Sequence, residues 1–353
     1  MANCNDNSSS TVKSRDIAEL EKVYEITELL GSGRFGTVHT AKQKDTGKEF
    51  AAKNCVCRRP SQRKDVELEI ELMNLLKHDK LVQLVDTFVS KKEVVLIMEL
   101  ITGGELFDRI IDESFDLTEE LASGYVKQVC EGVGFIHSNM VLHLDLKPEN
   151  ILCLHPQKLD QVKIIDFGFA RKYTPGAQLK VMFGTPEFVA PEVVNFDPLG
   201  PGTDMWSIGV ITYVLLSGLS PFMGEDDLET LSNVTGCEWD FEEDCFKDIS
   251  DNAKNFIETI LHPKENMRAS CVKCLQHPWI SGEAMKTDRK MSSKLSLITA
   301  VEHLRKFVNR RKWARSINAV RAINRFQTGA KKNGDNASPD RKKVQRTREL
   351  MGK

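Results

Sequence analysis

The sequence predicts an α+β fold in which strands come first, helices follow, and a separate helix lies near the C-terminus. Three observations lead to this prediction. A glycine-rich stretch at 31–38 lies between two strand patterns, Lys64–Lys77 has the composition and periodicity of a helix, and Ala300–Gln327 is basic and amphipathic. The 353 residues suit one two-lobed domain followed by a tail.

The N-terminal segment, Met1–Thr11, is polar and rich in Ser and Asn. It lacks the apolar core of a signal peptide. The sequence also has no run of roughly 18 apolar residues, the length needed to cross a membrane. We therefore expect no membrane span, and we expect residues 1–23 to form a disordered arm.

The first element after this arm is a glycine-rich hairpin. Residues 31–38 read G-x-G-x-x-G-x-V, a pattern that also occurs in dinucleotide sites. A dinucleotide site needs a strand followed by a helix, whereas Tyr24–Ile26 and Thr37–Ala41 on either side both have strand character. The glycines therefore predict a hairpin that lies close over phosphate groups, because no Cβ atoms intervene.

A short apolar strand, Phe50–Lys53, follows the hairpin and ends in a lysine. Its distance from the glycines favours Lys53 as a ligand of the nucleotide α- and β-phosphates over a solvated surface charge. A carboxylate must hold this lysine, and the predicted helix offers three. They are Glu67, Glu69 and Glu71. Two of them should face solvent.

The most informative stretch is His143–Asn150, which reads HLDLKPEN and precedes Asp166-Phe167-Gly168. An Asp, a Lys two residues on and an Asn five residues on form the loop of a phosphotransferase. Asp145 would receive the proton of the substrate hydroxyl, while Asn150 and Asp166 would hold Mg²⁺. Each short string is weak alone, but their order and spacing together indicate an ATP-dependent phosphotransferase.

Together with Ala190-Pro191-Glu192 and Asp204-Met205-Trp206-Ser207, these motifs resemble a eukaryotic protein kinase from about residue 24 to residue 280. The resemblance implies a bilobal protein-kinase fold. A small β-rich N-lobe would occupy 24–101, a larger and mainly helical C-lobe would occupy 102–280, and ATP would lie between them.

Within the kinases, the branch that this chain resembles is that of the myosin light chain kinases. The residues that carry this resemblance are His143-Leu144-Asp145, the run Phe183–Glu192 and the run Leu216–Phe222. The giant muscle kinases and the death-associated kinases are near relatives of that branch.

The resemblance implies roles for single residues. Glu69 would hold Lys53, Lys147 would neutralise the γ-phosphate and favour Ser or Thr as acceptor, and Asp204 would brace the catalytic loop. The residues implied in nucleotide binding are Leu30, Gly31, Ser32, Gly33, Arg34, Phe35, Gly36, Thr37, Val38, Ala51, Lys53, Met98, Glu99, Ile101 and Glu105. Among these, Met98 resembles the gatekeeper, Glu99–Ile101 the hinge to adenine, and Glu105 the glutamate that meets ribose and a basic substrate residue. Arg268 is placed to form a buried pair with Glu192.

The charge is divided between the two parts of the chain. Residues 283–353 hold 20 Lys and Arg against 6 Asp and Glu, a net charge of +14, and residues 1–282 hold 29 against 45, a net charge of −16. An acidic domain favours basic peptides near its cleft, and it also favours its own basic tail. We expect a monomer with no nucleic-acid partner.

The nine cysteines include two close pairs, Cys55/Cys57 and Cys271/Cys274. A zinc site would need both pairs within reach, and kinase topology places them in different lobes. We expect reduced thiols in a cytoplasmic protein. Many relatives carry flanking immunoglobulin or fibronectin modules and this sequence shows none, so association with actomyosin stays open.

The stretch from His303 to Gln327 has eight Lys and Arg and neither Asp nor Glu, which is typical of a membrane-surface helix or a calmodulin target. Four apolar residues decide between the two. They are Trp313, Ile317, Val320 and Phe326, at relative positions 1, 5, 8 and 14. At about 100° per residue, the two end anchors point to different sides, about 20 Å apart along the axis. A flat membrane needs one apolar face, whereas a two-lobed protein needs an anchor for each lobe.

The spacing therefore favours calmodulin, and it also resembles the calmodulin segment of the myosin light chain kinases. We assign residues 281–328 to an autoinhibitory and calmodulin-binding segment. The remaining residues, 329–353, are polar, charged and poor in apolar side chains, so we expect a disordered basic tail.

The combined prediction is a Ser/Thr kinase that uses ATP and Mg²⁺, is activated by calmodulin with Ca²⁺, and acts on myosin regulatory light chain. Two alternatives stay open. One is a calmodulin-regulated kinase of the death-associated type with another basic protein substrate. The other is a calmodulin-binding pseudokinase scaffold. A pseudokinase would be expected to lack part of the catalytic set, but this sequence has all four residues: Lys53, Asp145, Asn150 and Asp166.

Leu144 stands where many kinases have an arginine that binds a phosphate on the activation segment. Leucine has neither a hydrogen-bond donor nor a charge, so it cannot order that segment in this way. The segment 171–184 offers only Tyr173 and Thr174 as phosphate acceptors. We predict that it adopts its active form without phosphorylation, with Arg171 or Lys172 as alternative ligands if a phosphate is used.

Overall fold

The computed structural model describes residues 11–33, 36–180, 184–282 and 297–331. The chain forms two compact units, Met1–Arg305 and Lys306–Lys353. The first unit contains a β-rich part followed by a mainly helical part, and the second contains most of a long helix. The bilobal α+β architecture expected from the sequence is confirmed.

One six-stranded sheet makes up most of the N-lobe. Its strands are β1 (Ser14–Asp16), β2 (Tyr24–Gly33), β3 (Gly36–Gln43), β4 (Glu49–Val56), β5 (Leu84–Val89) and β6 (Glu93–Glu99). Their order across the sheet is β1-β5-β6-β4-β3-β2, and only the β1–β5 pair is parallel. β2 and β3 form the predicted glycine hairpin, and β4 ends just beyond Lys53.

The sheet begins earlier than the sequence analysis proposed. Residues 14–23, placed there in a disordered arm, form β1, a 3-10 turn and the short helix α1 (Leu20–Val23). β1 covers the edge of β5, and Arg15 bridges to Asp86 at 2.9 Å. Leu20 is buried with Tyr24, Phe50 and Phe88 in the core of the lobe. The arm assignment is therefore wrong for these residues, while residues 1–10 lie outside the described part of the chain.

Helix α2 (Pro60–Leu75) packs against strand β5 of the N-lobe sheet. It begins earlier than the predicted Lys64, because Pro60 suits the first turn, where its missing N–H costs nothing. The buried residues Val66, Glu69, Leu72 and Met73 recur at helical spacing, so they form one inward face. A single carboxylate, that of Glu69, is thereby placed among apolar neighbours.

Nine helices of the described chain build the C-lobe. They are α3 (Leu106–Ile110), α4 (Glu119–Ser138), α5 (Pro191–Val194), α6 (Pro201–Ser217), α7 (Asp227–Gly236), α8 (Glu243–Phe246), α9 (Asp251–Ile260), α10 (Cys271–Gln276) and α11 (Pro278–Ser281). α6 is buried on nearly every side, as its continuous apolar sequence requires, and α4 packs beside it.

Two short sheets lie at the boundary between the lobes. The strands are β7 (Val141–Leu142), β8 (Ile151–His155), β9 (Lys158–Ile164) and β10 (Arg171–Lys172). β7 pairs with β10, and β8 pairs with β9. The catalytic loop therefore begins at the end of one small sheet and ends at the start of the other.

A buried ion pair ties α5 to the loop before α10. The Arg268 guanidinium donates to both carboxylate oxygens of Glu192, at 2.7 and 2.8 Å. It also donates to the carbonyl of Gly202 at 2.8 Å. The predicted buried pair is confirmed, and the additional acceptor satisfies a charge that would be costly to bury alone.

The long helix α12 (Ile298–Lys331) begins against the C-lobe within the first unit. The Leu297 amide donates to the Leu117 carbonyl at 2.8 Å, and Arg305 donates to the Ile111 carbonyl at 3.1 Å. Gly218 ends α6 with φ of +73°, and a Cβ there would lie 2.3 Å from the Ala300 carbonyl oxygen. Close approach of the helix therefore requires a glycine at that position.

The described helices include none long and apolar enough to cross a membrane. The described cysteines are free thiols, and Cys55 and Cys271 lie in different lobes. In the residues that the structure covers, no group of three His, Cys, Asp or Glu side chains is arranged to hold a metal ion.

Candidate active site

The catalytic loop is held by one buried carboxylate. The two oxygens of Asp204, on α6, accept from the amides of His143 and Leu144 at 2.9 and 2.8 Å. Leu144 has φ of +63°, a conformation that a branched side chain disfavours, so these two bonds support a strained turn. The expected bracing role of Asp204 thus has a direct structural basis.

Asp145, Lys147 and Asn150 converge at the tip of this loop. The Lys147 ammonium donates to Asp145 Oδ2 at 2.7 Å. The Asn150 amide nitrogen donates to the Asp145 backbone oxygen at 2.8 Å and to Oδ2 at 3.1 Å. Asp145 is buried, and these two donors fix the orientation of its carboxylate.

Lys53 joins the N-lobe to the Asp166 segment. Its ammonium contacts Glu69 Oε1 at 2.6 Å and Asp166 Oδ1 at 3.0 Å. Glu67 instead pairs with Arg63, and Glu71 with Lys172, so the sheet lysine meets the glutamate that the family resemblance implied. Burial alone would lower the pKa of Lys53, but the two carboxylates outweigh it and raise the pKa.

The contact with Lys53 also changes the pKa of Asp166. Burial alone would raise the pKa of its carboxyl, but the charge and hydrogen bond of Lys53 hold that pKa below its usual value. Its backbone φ is +66°, and Oδ1 also accepts from the Gly168 amide at 3.3 Å. The other carboxylate oxygen is thereby presented on the far side from Lys53.

One face of the N-lobe sheet carries several of the implied nucleotide residues. Directly paired strand residues point to the same face, and Val38 pairs with Lys53 while Ala51 pairs with Met98. The face that presents the lysine is thus apolar beside it. Leu30 lies exposed at the end of β2, as expected for a surface that would cover an aromatic ring.

The tip of the hairpin is shaped by glycine. Gly31, Ser32 and Gly33 on β2 pair with Val38, Thr37 and Gly36 on β3. Gly36 has φ of +151°, and a Cβ there would lie 1.7 Å from the Asn54 carbonyl oxygen. Arg34 and Phe35, also implied in nucleotide binding, lie outside the described residues.

The implied hinge follows β6. Glu99 Oε1 accepts from the Lys163 ammonium at 2.6 Å and from the Gln83 amide at 2.9 Å, so its side chain stabilises the hinge from the side of β9. Ile101 is half-buried, and Glu105 stands at the start of α3, where its backbone bridges to Leu152. The hinge side chains are therefore positioned by the C-lobe.

The residues present fit a nucleotide with Mg²⁺. The Asn150 amide nitrogen faces Asp145, which turns its oxygen the other way, and Asp166 presents a carboxylate oxygen. Mg²⁺ prefers such oxygen ligands and takes its remaining ones from phosphates and water.

Some residues that support the site were absent from the sequence analysis. His137 on α4 lies 2.8 Å from Asp204 Oδ2. Burial alone would lower the pKa of His137, but its bonds to Asp204 and Cys271 raise that pKa to about 9. Lys163, which holds Glu99, is the second example. Nothing in the local sequence marks either residue, because each acts through a contact distant along the chain.

Of the four residues predicted to bind calmodulin, Trp313 can be described fully. It lies on α12 with 67% of its surface exposed. Ile317, Val320 and Phe326 lie on the same helix, but their side chains are outside the described part of the structure. The predicted helix is therefore present, and its first anchor is open to solvent.

A family model described as the protein kinase domain matches residues 24–280. Smooth muscle myosin light chain kinase of Gallus gallus is 48% identical over 312 residues, which are 88% of this chain and 16% of that protein. Human myosin light chain kinase family member 4 is 52% identical over 270 residues, 76% of this chain and 68% of the relative. The chain thus spans a small part of the chicken protein and most of the human one.

The fold is also similar to those of two solved kinase structures. The twitchin kinase region of C. elegans has a TM-score of 0.79 at 38% identity, over 87% of this chain and 53% of that one. The autoinhibited serine kinase domain of the giant muscle protein titin has a TM-score of 0.73 at 35% identity, over 81% of this chain and 87% of that one.

Proposed function

The chain belongs to the protein kinase family and within it to the myosin light chain kinases, and on this premise we propose that calmodulin with Ca²⁺ activates it to phosphorylate myosin regulatory light chain. It is a Ser/Thr protein kinase and uses ATP. What we propose is the substrate, the control by calmodulin and the roles of single residues.

In the proposed mechanism, Lys53 binds the α- and β-phosphates while Glu69 keeps it in place. Asn150 and Asp166 would hold Mg²⁺, which neutralises charge on the β- and γ-phosphates. The depressed pKa of Asp166 supports this role, because the carboxylate stays ionised at neutral pH. The short contacts of Lys53 fix the phosphates relative to the C-lobe and so supply positioning, the main contribution of a protein to this chemistry.

Asp145 would accept the proton of the attacking Ser or Thr hydroxyl. Its Oδ2 atom is occupied by Lys147 and Asn150, which leaves Oδ1 for the hydroxyl. Lys147, whose ammonium contacts Asp145 Oδ2 at 2.7 Å, would neutralise the γ-phosphate beside the acceptor oxygen. The electrostatic stabilisation is in place before the reaction, so little reorganisation is needed.

Control by calmodulin is supported by the exposure of Trp313. A large aromatic side chain that is 67% exposed on a strongly basic helix has no evident role in folding, and it is the kind of anchor that calmodulin binds. The +14 charge of residues 283–353, next in sequence to a domain of −16, also supports a tail that blocks the cleft when calmodulin is absent.

The identity of the substrate decides between this proposal and a kinase of the death-associated type. The test is phosphorylation of purified regulatory light chain in competition with a panel of basic Ser/Thr peptides, with and without Ca²⁺ and calmodulin. We expect light chain to be preferred and the rate to rise steeply with calmodulin. The Asp145→Asn protein controls for contaminating kinases. Equal rates for light chain and unrelated basic peptides would reject the substrate, and equal rates with and without calmodulin would reject the control.

A further inference from the structure

Arg171, just after the Asp166 segment, connects three parts of the active site. Its guanidinium donates to the Ala170 carbonyl at 2.8 Å and approaches the Gly168 carbonyl at 3.5 Å. It also donates to Asp65 Oδ1 on helix α2 at 3.2 Å. One side chain thus joins the backbone beside the metal-binding Asp166 to the helix that carries Glu69.

Lys172 makes a second contact of the same kind. Its ammonium pairs with Glu71 on α2. Both basic residues lie on β10, whose backbone pairs with β7, the strand that leads into the catalytic loop. The two side chains therefore reach the N-lobe from a backbone that is already fixed to the C-lobe.

Many kinases order this segment with a phosphate that binds arginines, one of them beside the catalytic aspartate. Leu144 removes that arginine here, yet Arg171 and Lys172 still find anionic partners. We propose that Asp65 and Glu71 take the place of an activation-segment phosphate, so that a permanent pair of carboxylates on α2 holds the segment in its active arrangement. Arg171 and Lys172 are then positioning residues for the kinase reaction.

The contacts form a closed ring that includes Lys53 and Asp166. From Asp65 the ring passes through Arg171 to the Gly168 segment, on to Asp166, then to Lys53 and Glu69. Glu69 lies about one helical turn after Asp65 on α2, which closes the ring. A rotation of α2 that withdrew Glu69 from Lys53 would therefore also have to break the bond to Arg171.

Exposed ion pairs usually contribute little, so partial burial matters here. The Arg171 side chain is 21% exposed and Asp65 39%, and two backbone carbonyls also fix the guanidinium. Lys172 and Glu71 are more exposed, at 52% and 58%. The proposal accordingly assigns most of the effect to Arg171 and a smaller, testable share to Lys172.

The experiment uses the full chain, produced in bacteria and treated with phosphatase. Mass spectrometry must show that Tyr173 and Thr174 carry no phosphate. The variants are Asp65→Asn, Lys172→Glu, Glu71→Lys and the double exchange Lys172→Glu with Glu71→Lys. The matched control is Glu67→Gln, because Glu67 lies on the same helix and pairs only locally, with Arg63.

Rates are measured on one basic Ser/Thr peptide, in whichever condition gives the parent its highest rate, with or without calmodulin. This choice keeps the result independent of the proposed substrate and control. We expect Asp65→Asn to lower kcat about tenfold and each single charge reversal about fivefold, with the KM for peptide within about twofold. The double exchange should recover most of kcat, and Glu67→Gln should behave as the parent.

Recovery of kcat in the double exchange distinguishes a positioning role from a general loss of stability. Two independent folding defects would add, so the double variant would then be slower than either single variant. The proposal is overturned if the bare protein is inactive until an upstream kinase phosphorylates the segment. It is also overturned if Asp65→Asn and both reversals keep kcat within twofold of the parent, or if the double exchange is no faster than the single variants.

Discussion

The catalytic cleft and helix α12 place their charges in opposite ways. In the cleft, Lys53, Asp145 and Asp204 are largely buried, and each has two or more partners at hydrogen-bonding distance. On α12, the charged residues around Trp313 are mostly exposed, and so is Trp313 itself. The cleft is organised before its substrates arrive, whereas Trp313 on the helix is open to solvent.

Under the proposed control by calmodulin, this difference accounts for a chain whose cleft is ready to react while its helix restrains it. A preorganised cleft needs no further ordering for chemistry. An exposed anchor such as Trp313 can change partner at low cost, provided that the new partner prefers the undocked form of the helix.

The largest expected effect comes from Asp145→Asn in the cleft. The substitution keeps the shape but removes the proton acceptor, so kcat should fall by roughly 10³-fold. Nucleotide affinity, measured by calorimetry, should survive, because the contacts to ATP come from other residues. Turnover within tenfold of the parent would reject the assigned role.

On the helix, Trp313→Ala should weaken binding of Ca²⁺-loaded calmodulin by about 3 kcal/mol, as expected when a large aromatic anchor is truncated. Isothermal titration calorimetry gives the value. Asn309→Ala is the matched control, since Asn309 is exposed on the same helix and lies outside the 1-5-8-14 spacing. Unchanged affinity for the Trp313 variant would show that the spacing has been misinterpreted.

Truncation tests whether the helix restrains the cleft. Chains that end at Gly282 and at Arg305 should both be active without Ca²⁺, about 50-fold above the calcium-free full chain. The longer one keeps the Leu297 and Arg305 contacts to the C-lobe, so it controls for loss of that packing. If both truncated chains have the same calcium-free rate as the full chain, the helix does not inhibit the kinase.

The smallest effect concerns pH and the support of the catalytic loop. With Asp204 as partner, the folded protein keeps the His137 proton up to about pH 9, whereas the unfolded chain loses it near 6.5. The stabilisation is therefore complete below pH 6.5 and is lost as pH rises through about 9. Replacing His137 by Gln should cost about 2 kcal/mol of unfolding free energy at pH 6 and much less at pH 10.

Denaturant titrations at the two pH values measure this difference. They should be run in a Cys271→Ser background, because hydrogen bonds from Cys130 and His137 lower the pKa of the Cys271 thiol to about 6 and its titration would act in the opposite direction. Since Cys271 also helps to raise the pKa of His137, the stabilisation in this background should be lost at a pH below that of the parent. A difference between the His137 and Gln proteins that does not shrink with pH would exclude a charged pair with Asp204.

The sequence predicted those parts of the site whose residues are close along the chain. Asp145, Lys147 and Asn150 lie within six positions, and the structure brings them together through one turn. The spacing rule reflects local geometry, so it could be applied without knowing the fold. Long-range partners such as His137 and Arg171 belong to common residue types, and only the packing of α4 or α2 determines what they contact.

The predicted N-terminal boundary of the folded domain was wrong for a related reason. The short strand β1 has no apolar alternation of its own, and it forms because the edge of β5 offers unpaired backbone groups. Composition correctly indicated a polar segment, but it could not indicate an edge contributed by residues more than seventy positions later.

A substitution at Gly218 alone could release the start of helix α12 from the C-lobe. Its left-handed backbone is tolerated by asparagine, whereas the contact with Ala300 excludes any side chain. Gly218→Asn should thus preserve the end of α6 and displace the first turns of α12. This single substitution would separate the start of α12 from the C-lobe while leaving every proposed catalytic residue unchanged.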